Sequence, residues 1–159
     1  MHTTKTHRPG HASLRKGRSS EPGRIYSVTW ATRRRMPVLA ELKVARIVIR
    51  CLMHCDTSDW SRTLAFVVMP DHVHWLFELG DGKTLAELVE TVKSYSTREA
   101  NKHRIATGSL WQAGYYDRAA RRDDDLVVIS RYIVANPLRA GIVDDIGRYP
   151  YWDAVWLTG

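Results

Sequence analysis

Two histidines flank one valine in the run Val67-Val68-Met69-Pro70-Asp71-His72-Val73-His74-Trp75-Leu76-Phe77. The run is apolar and aromatic enough to read as a buried strand. Alternate side chains of a strand share a face, so His72 and His74 point one way and Val73 the other. Two imidazoles side by side on a stiff backbone can hold one divalent metal. Further along, Tyr132 and Asn136 stand four apart in a segment of helical spacing, which puts them on one side of a helix. Asn136 offers an amide oxygen as a third ligand to an oxygen-tolerant ion such as Mg²⁺ or Mn²⁺. One turn back, Tyr132 offers a phenol that can attack phosphorus when a metal polarises the phosphate. Each residue also has a plain structural role available. The histidines suit a solvated sheet face, the tyrosine an amphipathic helix, and the asparagine a helix end. Tyr115 and Tyr116 are rival nucleophiles, but they read as extended-strand aromatics with no polar partner one helical turn on.

These groups need elements to hold them. Ile25–Thr32 is rich in β-formers and reads as a strand. Leu42, Ala45, Ile49 and Leu52 recur at helical spacing within Glu41–Cys55. Leu64–Met69 and His72–Leu79 are strands joined at Pro70-Asp71, as a hairpin or a bulged pair. Thr84, with Glu87 three residues on, is a capping box for a helix that runs to about His103. Gly108–Ala120 is extended. Asp123-Asp124-Asp125 opens another helix, where carboxylates suit the positive end of the dipole. Leu126, Ile129, Ile133 and Val134 carry it to Asn136, and Pro137 stops it. Ile142, Val143, Tyr151, Trp152 and Trp156 supply apolar surface that folds back on the body. The order is βαββαβ followed by an added helix, an α+β architecture with one sheet and two helices packed on one face. Val73, Trp75 and Phe77 then face those two helices. The added helix covers the face that carries His72 and His74.

Composition bounds the function. The chain has 159 residues, 44% of them hydrophobic, which suits one globular domain. No apolar stretch reaches the ~18 residues of a membrane span, and the N-terminus lacks the apolar core of a secretory signal. Cys51 and Cys55, the only cysteines, read as packing residues and not as a disulfide framework, which suits a cytoplasmic protein. The formal net charge is +7. Residues 1–24 carry six Lys or Arg against Glu21 and read as a basic flexible arm, with residues 25–159 as the single folded domain. A polyanion partner follows, nucleic acid by default. Arg33, Arg34 and Arg35 can hold phosphates, as can Arg118, Arg121, Arg122 and Arg139 near the proposed site. Trp75 and Trp111 can stack bases, although the parity of Trp75 favours the core.

Taken together, several motifs resemble one family. They are His72-Val73-His74 after Met69-Pro70-Asp71, then Trp111-Gln112 with Gly114-Tyr115-Tyr116-Asp117-Arg118, then Arg131-Tyr132-Ile133 and Asn136-Pro137-Leu138-Arg139-Ala140-Gly141. In this order they look like the single-tyrosine HUH (Y1, IS200-like) transposases, and most like the REP-associated tyrosine transposases, named for repetitive extragenic palindromes. The similarity runs from about Arg24 to Trp156. It implies a ferredoxin-like fold, a Mg²⁺ or Mn²⁺ ion, and single-stranded or hairpin DNA from palindromic repeats as the partner. It implies His72 and His74 as the metal pair and Tyr132 as the nucleophile. Asn136 falls where relatives carry a polar ligand, often glutamine. The implied reaction is cleavage and rejoining through a 5′-phosphotyrosine, in a nucleoid-associated cytoplasmic protein. Two alternatives stay open: a non-catalytic nucleic-acid-binding module on the same fold, and a metal-dependent nuclease that uses water. Monomer or homodimer is left undecided.

Overall fold

The computed structural model describes residues 20–121 and 124–155. Residues 1–19 of the basic arm, Arg122, Asp123 and Trp156 lie outside the described residues. Residues 20–24, which the sequence assigns to the arm, are tied to the domain instead. Ser20 Oγ accepts the Leu85 N–H at 2.8 Å, and the Gly23 N–H donates to the Leu79 carbonyl at 2.7 Å.

Strand β1 (Ile25–Ala31) alternates buried and half-buried positions. Two short 3₁₀ turns, Arg33–Arg35 and Val38–Ala40, lead to helix α1 (Leu42–Thr57). Its buried stripe of Val44, Val48, Cys51, Leu52 and Cys55 keeps three- and four-residue spacing, the pattern of a helix with one face in a core. Strands β2 (Ser61–Val68) and β3 (His72–Leu79) form a hairpin. A bulge at Leu64 shifts the register between Thr63 and Ala65. Helix α2 (Leu85–Arg104) begins as its capping box requires, with Thr84 Oγ1 accepting the Glu87 N–H at 3.2 Å. Strand β4 (Tyr116–Ala119) follows, then helix α3 (Leu126–Val134), the four-residue turn α4 (Asn136–Arg139) and strand β5 (Trp152–Ala154).

The sheet is antiparallel throughout, in the order β4-β1-β3-β2-β5. Its first four strands, with α1 and α2 on one face, make the expected ferredoxin-like arrangement. β5 extends the β2 edge, a strand that the apolar C-terminal residues suggested only as surface folding back. One core cluster joins Tyr26, Val28, Trp30, Val73, Trp75 and Phe77 to α1 and α2. On the other side Leu64, Ala65, Val67 and Leu76 pack with Ile133 and Val134 of α3 and with Tyr149. The added helix thus covers the histidine face, but only over part of its width.

Two expectations need correction. Pro137 does not stop the added helix at Asn136. α3 ends at Val134, and Pro137 sits in the first turn of α4, where a residue without an N–H costs least. Trp111 does not offer its ring to a base. It is 2% exposed and donates its Nε1–H to Ser96 Oγ at 2.9 Å inside the helix-side core.

Candidate active site

Strand parity places the histidines as their spacing requires. Val73, on the opposite face, is fully buried. The His72 and His74 rings stand 5.0 Å apart, centroid to centroid, at 79° to each other. Each is held from behind at Nδ1. His72 Nδ1 donates to Asp71 Oδ1 at 2.7 Å. A carboxylate only accepts, so in the neutral form of that ring the lone pair lies on Nε2. Nδ1 of His74 is hydrogen-bonded to Thr29 Oγ1 at 2.9 Å, across the β1–β3 pairing that sets Thr29 opposite His74. Supports of this kind fix the ring and its tautomer in metal sites. Burial pushes the His74 imidazole down to about 4, with His72, Arg139 and Arg35 adding to the shift. It is therefore neutral near pH 7, the form that binds metal.

Asp71 is itself held. Its Oδ2 receives Arg35 Nε at 3.1 Å. The turn that carries Arg35 is docked on the Pro70-Asp71 turn, with the Thr32 N–H donating to the Asp71 carbonyl and the Leu39 N–H to that of Pro70. Arg34 and Arg35 take positive φ, 56° and 54°. This left-handed backbone is costly for residues with a Cβ.

Tyr132 lies on the rim of α3 and is 64% exposed, while Ile133 beside it is buried. Tyr132 and His74 line one cleft of about 410 Å³ between the sheet and α3, together with Thr29, Arg118 and Asp124. Arg139 returns from α4 over the tyrosine. Its guanidinium carbon stands 3.8 Å from the ring centroid, and Nη1 donates to the Tyr132 carbonyl at 2.7 Å. This contact holds the phenol from one side by a cation–π interaction.

Asn136 has a local reason for its orientation. Pro137 lacks the N–H that would bond the Ile133 carbonyl, four residues back. Asn136 Nδ2 donates to that carbonyl instead, at 3.0 Å. With its amide nitrogen spent there, Oδ1 is left as the acceptor. Asn136 does not line the cleft that Tyr132 shares with His74. Among the described residues no group of three His, Cys, Asp or Glu is placed to hold a metal. The donors the structure does bring together are the two imidazoles, each with Nδ1 engaged.

The arginines named from sequence separate. Arg35 and Arg139 reach the histidine site. Arg118 faces Asp124 at 3.4 Å on the cleft wall. Arg121 is exposed, and its backbone N–H donates to Asp124 Oδ2 at 2.7 Å. Arg33 lies against Gly108, and Arg34 is exposed. The acidic run at the start of α3 divides too. Asp125 caps the helix by accepting from the Val127 and Val128 N–H groups, while Asp124 turns into the cleft. The rival tyrosines also part. Tyr115 is buried in the helix-side core. Tyr116, 66% exposed, pairs in register with Thr29 and so shares the face of His74. Sequence spacing gave no sign of that, because it depends on which strand β4 pairs with.

Comparison with known proteins adds the family. The model described as "Transposase IS200 like" matches residues 23–136, most of the chain. A Haemophilus influenzae relative is 27% identical over 99 residues, covering 56% of each chain. An Escherichia coli K12 relative named as a REP-associated tyrosine transposase is 27% identical over 89 residues, covering 55% of this chain and 50% of its own length. The chain thus spans about half the length of the curated relatives it matches. The solved structure of a REP-associated tyrosine transposase bound to a REP hairpin superposes with a TM-score of 0.70 at 21% identity, over 85% of this chain and 79% of that one. At that identity the likeness concerns the fold. No helix among the described residues is long and apolar enough to cross a membrane. With that family match over most of its length, the chain belongs to the IS200-like transposase family.

Proposed function

We propose that this protein cleaves and rejoins single-stranded DNA next to hairpins of REP-type palindromes through a covalent bond to Tyr132. The observation that carries the reading is the shared cleft, lined by an exposed phenol and by His74, whose ring stands 5.0 Å from that of His72. His72, His74 and Asn136 are the residues that would hold Mg²⁺ or Mn²⁺. When bound, the ion supplies Lewis acidity at the scissile phosphate. Tyr132 Oη attacks phosphorus and loses its proton to water. The bond to the 3′ oxygen breaks, and that oxygen takes a proton from water, leaving a 3′-hydroxyl and a 5′-phosphotyrosine. The 3′-hydroxyl of the same or another strand reverses the step, so no nucleotide cofactor is required. Arg139 holds the tyrosine ring and carbonyl, which restricts the phenol before DNA arrives. Arg35, held on Asp71 beside His72, gives positive charge at the site for the strand's phosphates, while Arg33, Arg34 and Arg121 offer further phosphate contacts along the bound strand.

Covalent trapping tests this. Labelled hairpins from the host's own repeats are incubated with protein and Mn²⁺ or EDTA, then run on a denaturing gel. A metal-dependent shifted band that vanishes in Tyr132→Phe and in His72→Ala is expected. Cleavage that survives Tyr132→Phe would move the nucleophile to water or to Tyr116.

A further inference from the structure

The cleft beside Tyr132 is larger and more apolar than a phosphate needs. Leu76 on the sheet and Val128, Ile129 and Ile133 on α3 supply its apolar lining, while Arg118 and Asp124, 3.4 Å apart, supply a charged pair. Its volume of about 410 Å³ falls in the range of ~300–1,000 Å³ typical of small-ligand sites. An apolar lining that also holds a paired guanidinium and carboxylate matches one kind of object in a DNA strand. A nucleobase has two apolar faces and one edge of alternating donors and acceptors.

We propose that this cleft receives one unpaired nucleobase of the substrate strand, next to the scissile phosphate. The proposal rests on the function proposed above and adds to it a means of choosing the cleavage position. The base faces lie between the sheet and α3. Asp124 accepts from an N–H of the base edge, and Arg118 donates to a ring nitrogen or carbonyl oxygen. A paired base cannot enter, because its edge is occupied and leaving the stack costs free energy that an unpaired base does not spend. Continuity with the chemistry follows from the lining, since Tyr132 and His74 border the same space. A base seated there holds its own backbone against the tyrosine. The cleft thus discriminates by strandedness first and by base identity second.

The test reads binding without cleavage, using the full chain with Tyr132→Phe and a fluorescent REP-type hairpin with single-stranded flanks. Each flank nucleotide is replaced in turn by an abasic site. At one position, base removal is expected to weaken binding about tenfold, the size of effect that a stacked base carries. Adding Val128→Trp, on an exposed helix position that borders the cleft, is expected to abolish that sensitivity. Adding Asp124→Asn, which keeps one oxygen acceptor, is expected to change which base is preferred there. The proposal is overturned if every abasic position binds within about twofold of the intact strand, or if Val128→Trp leaves the abasic effect untouched. A covalent band with the wild-type chain but no abasic effect rejects the cleft and keeps the tyrosine chemistry. No binding to any hairpin rejects both.

Discussion

The two faces of the sheet share one strand and serve opposite ends. On the helix side of β3, Val73, Trp75 and Phe77 are buried under α1 and α2. Trp30 meets Trp75 edge-on at 6.3 Å and Trp111 at 5.9 Å. Trp75 Nε1 donates to Thr63 Oγ1 there at 2.9 Å, whereas the buried Trp30 Nε1 has no hydrogen-bond partner among the described residues. On the other side, His72 and His74 stand half-buried among hydroxyl, carboxylate and guanidinium groups. A two-residue period lets one segment be anchored by every second side chain and reactive through those between. The tightly packed face fixes the backbone, and the backbone fixes the distance between the imidazoles.

That contrast can be broken from either side. The largest effect belongs to the reactive face. Tyr132→Phe is expected to abolish the covalent DNA band while leaving the melting temperature unchanged, because the phenol is exposed and its stability role is slight. Trp75→Ala is expected to do the reverse. Emptying so large a buried site costs about 3–5 kcal/mol, read as a lower urea midpoint. A Tyr132→Phe protein that is itself markedly unstable would blur the division. Next in size is the support behind the histidine pair. Asp71→Ala removes the partner of His72 Nδ1 and frees Arg35, and metal affinity by calorimetry should fall about 10–100-fold with the fold intact.

A smaller effect shows that the histidine face is itself divided. Beyond the site, Tyr149 is buried against β2 and donates its hydroxyl proton to the Val68 carbonyl. Burial pushes its phenol up to about 12 from an ordinary value of 10.0, with Tyr151 adding to the shift. The folded chain therefore holds this proton more tightly than the unfolded one. Stability is full below pH 10 and declines as pH rises toward 12, by about 1 kcal/mol near pH 11. Urea titrations near pH 9 and pH 11 should show a smaller decline for Tyr149→Phe than for the wild type.

Much of this was legible before the fold was seen, wherever a local rule decided the outcome. The parity of His72, Val73 and His74 needs only an extended backbone. The Thr84 cap needs only one turn of helix. Other features depend on partners distant in sequence. Trp111 and Tyr116 lie five residues apart in one extended stretch, yet one is sealed under α2 and the other faces the site. The difference arises from how that stretch pairs along β1. β5 is three residues long and gains its identity from the free edge of β2. Asp124 and Asp125 are equivalent as first-turn carboxylates. Tertiary geometry makes one a cap and the other a cleft wall. Pro137 misled for a different reason, since a proline that ends one helix is equally suited to begin the next turn.

The joint at Asn136-Pro137 sets stability against function. Pro137→Ala would restore an N–H able to bond the Ile133 carbonyl and would let α3 continue smoothly through the break. The helix should become steadier, with a slightly higher melting temperature. The Asn136 amide, displaced from that carbonyl, would lose the bond that aims its oxygen, and the covalent DNA band should weaken. A more stable protein with a poorer site is the expected signature of a helix kept imperfect for the sake of what it presents.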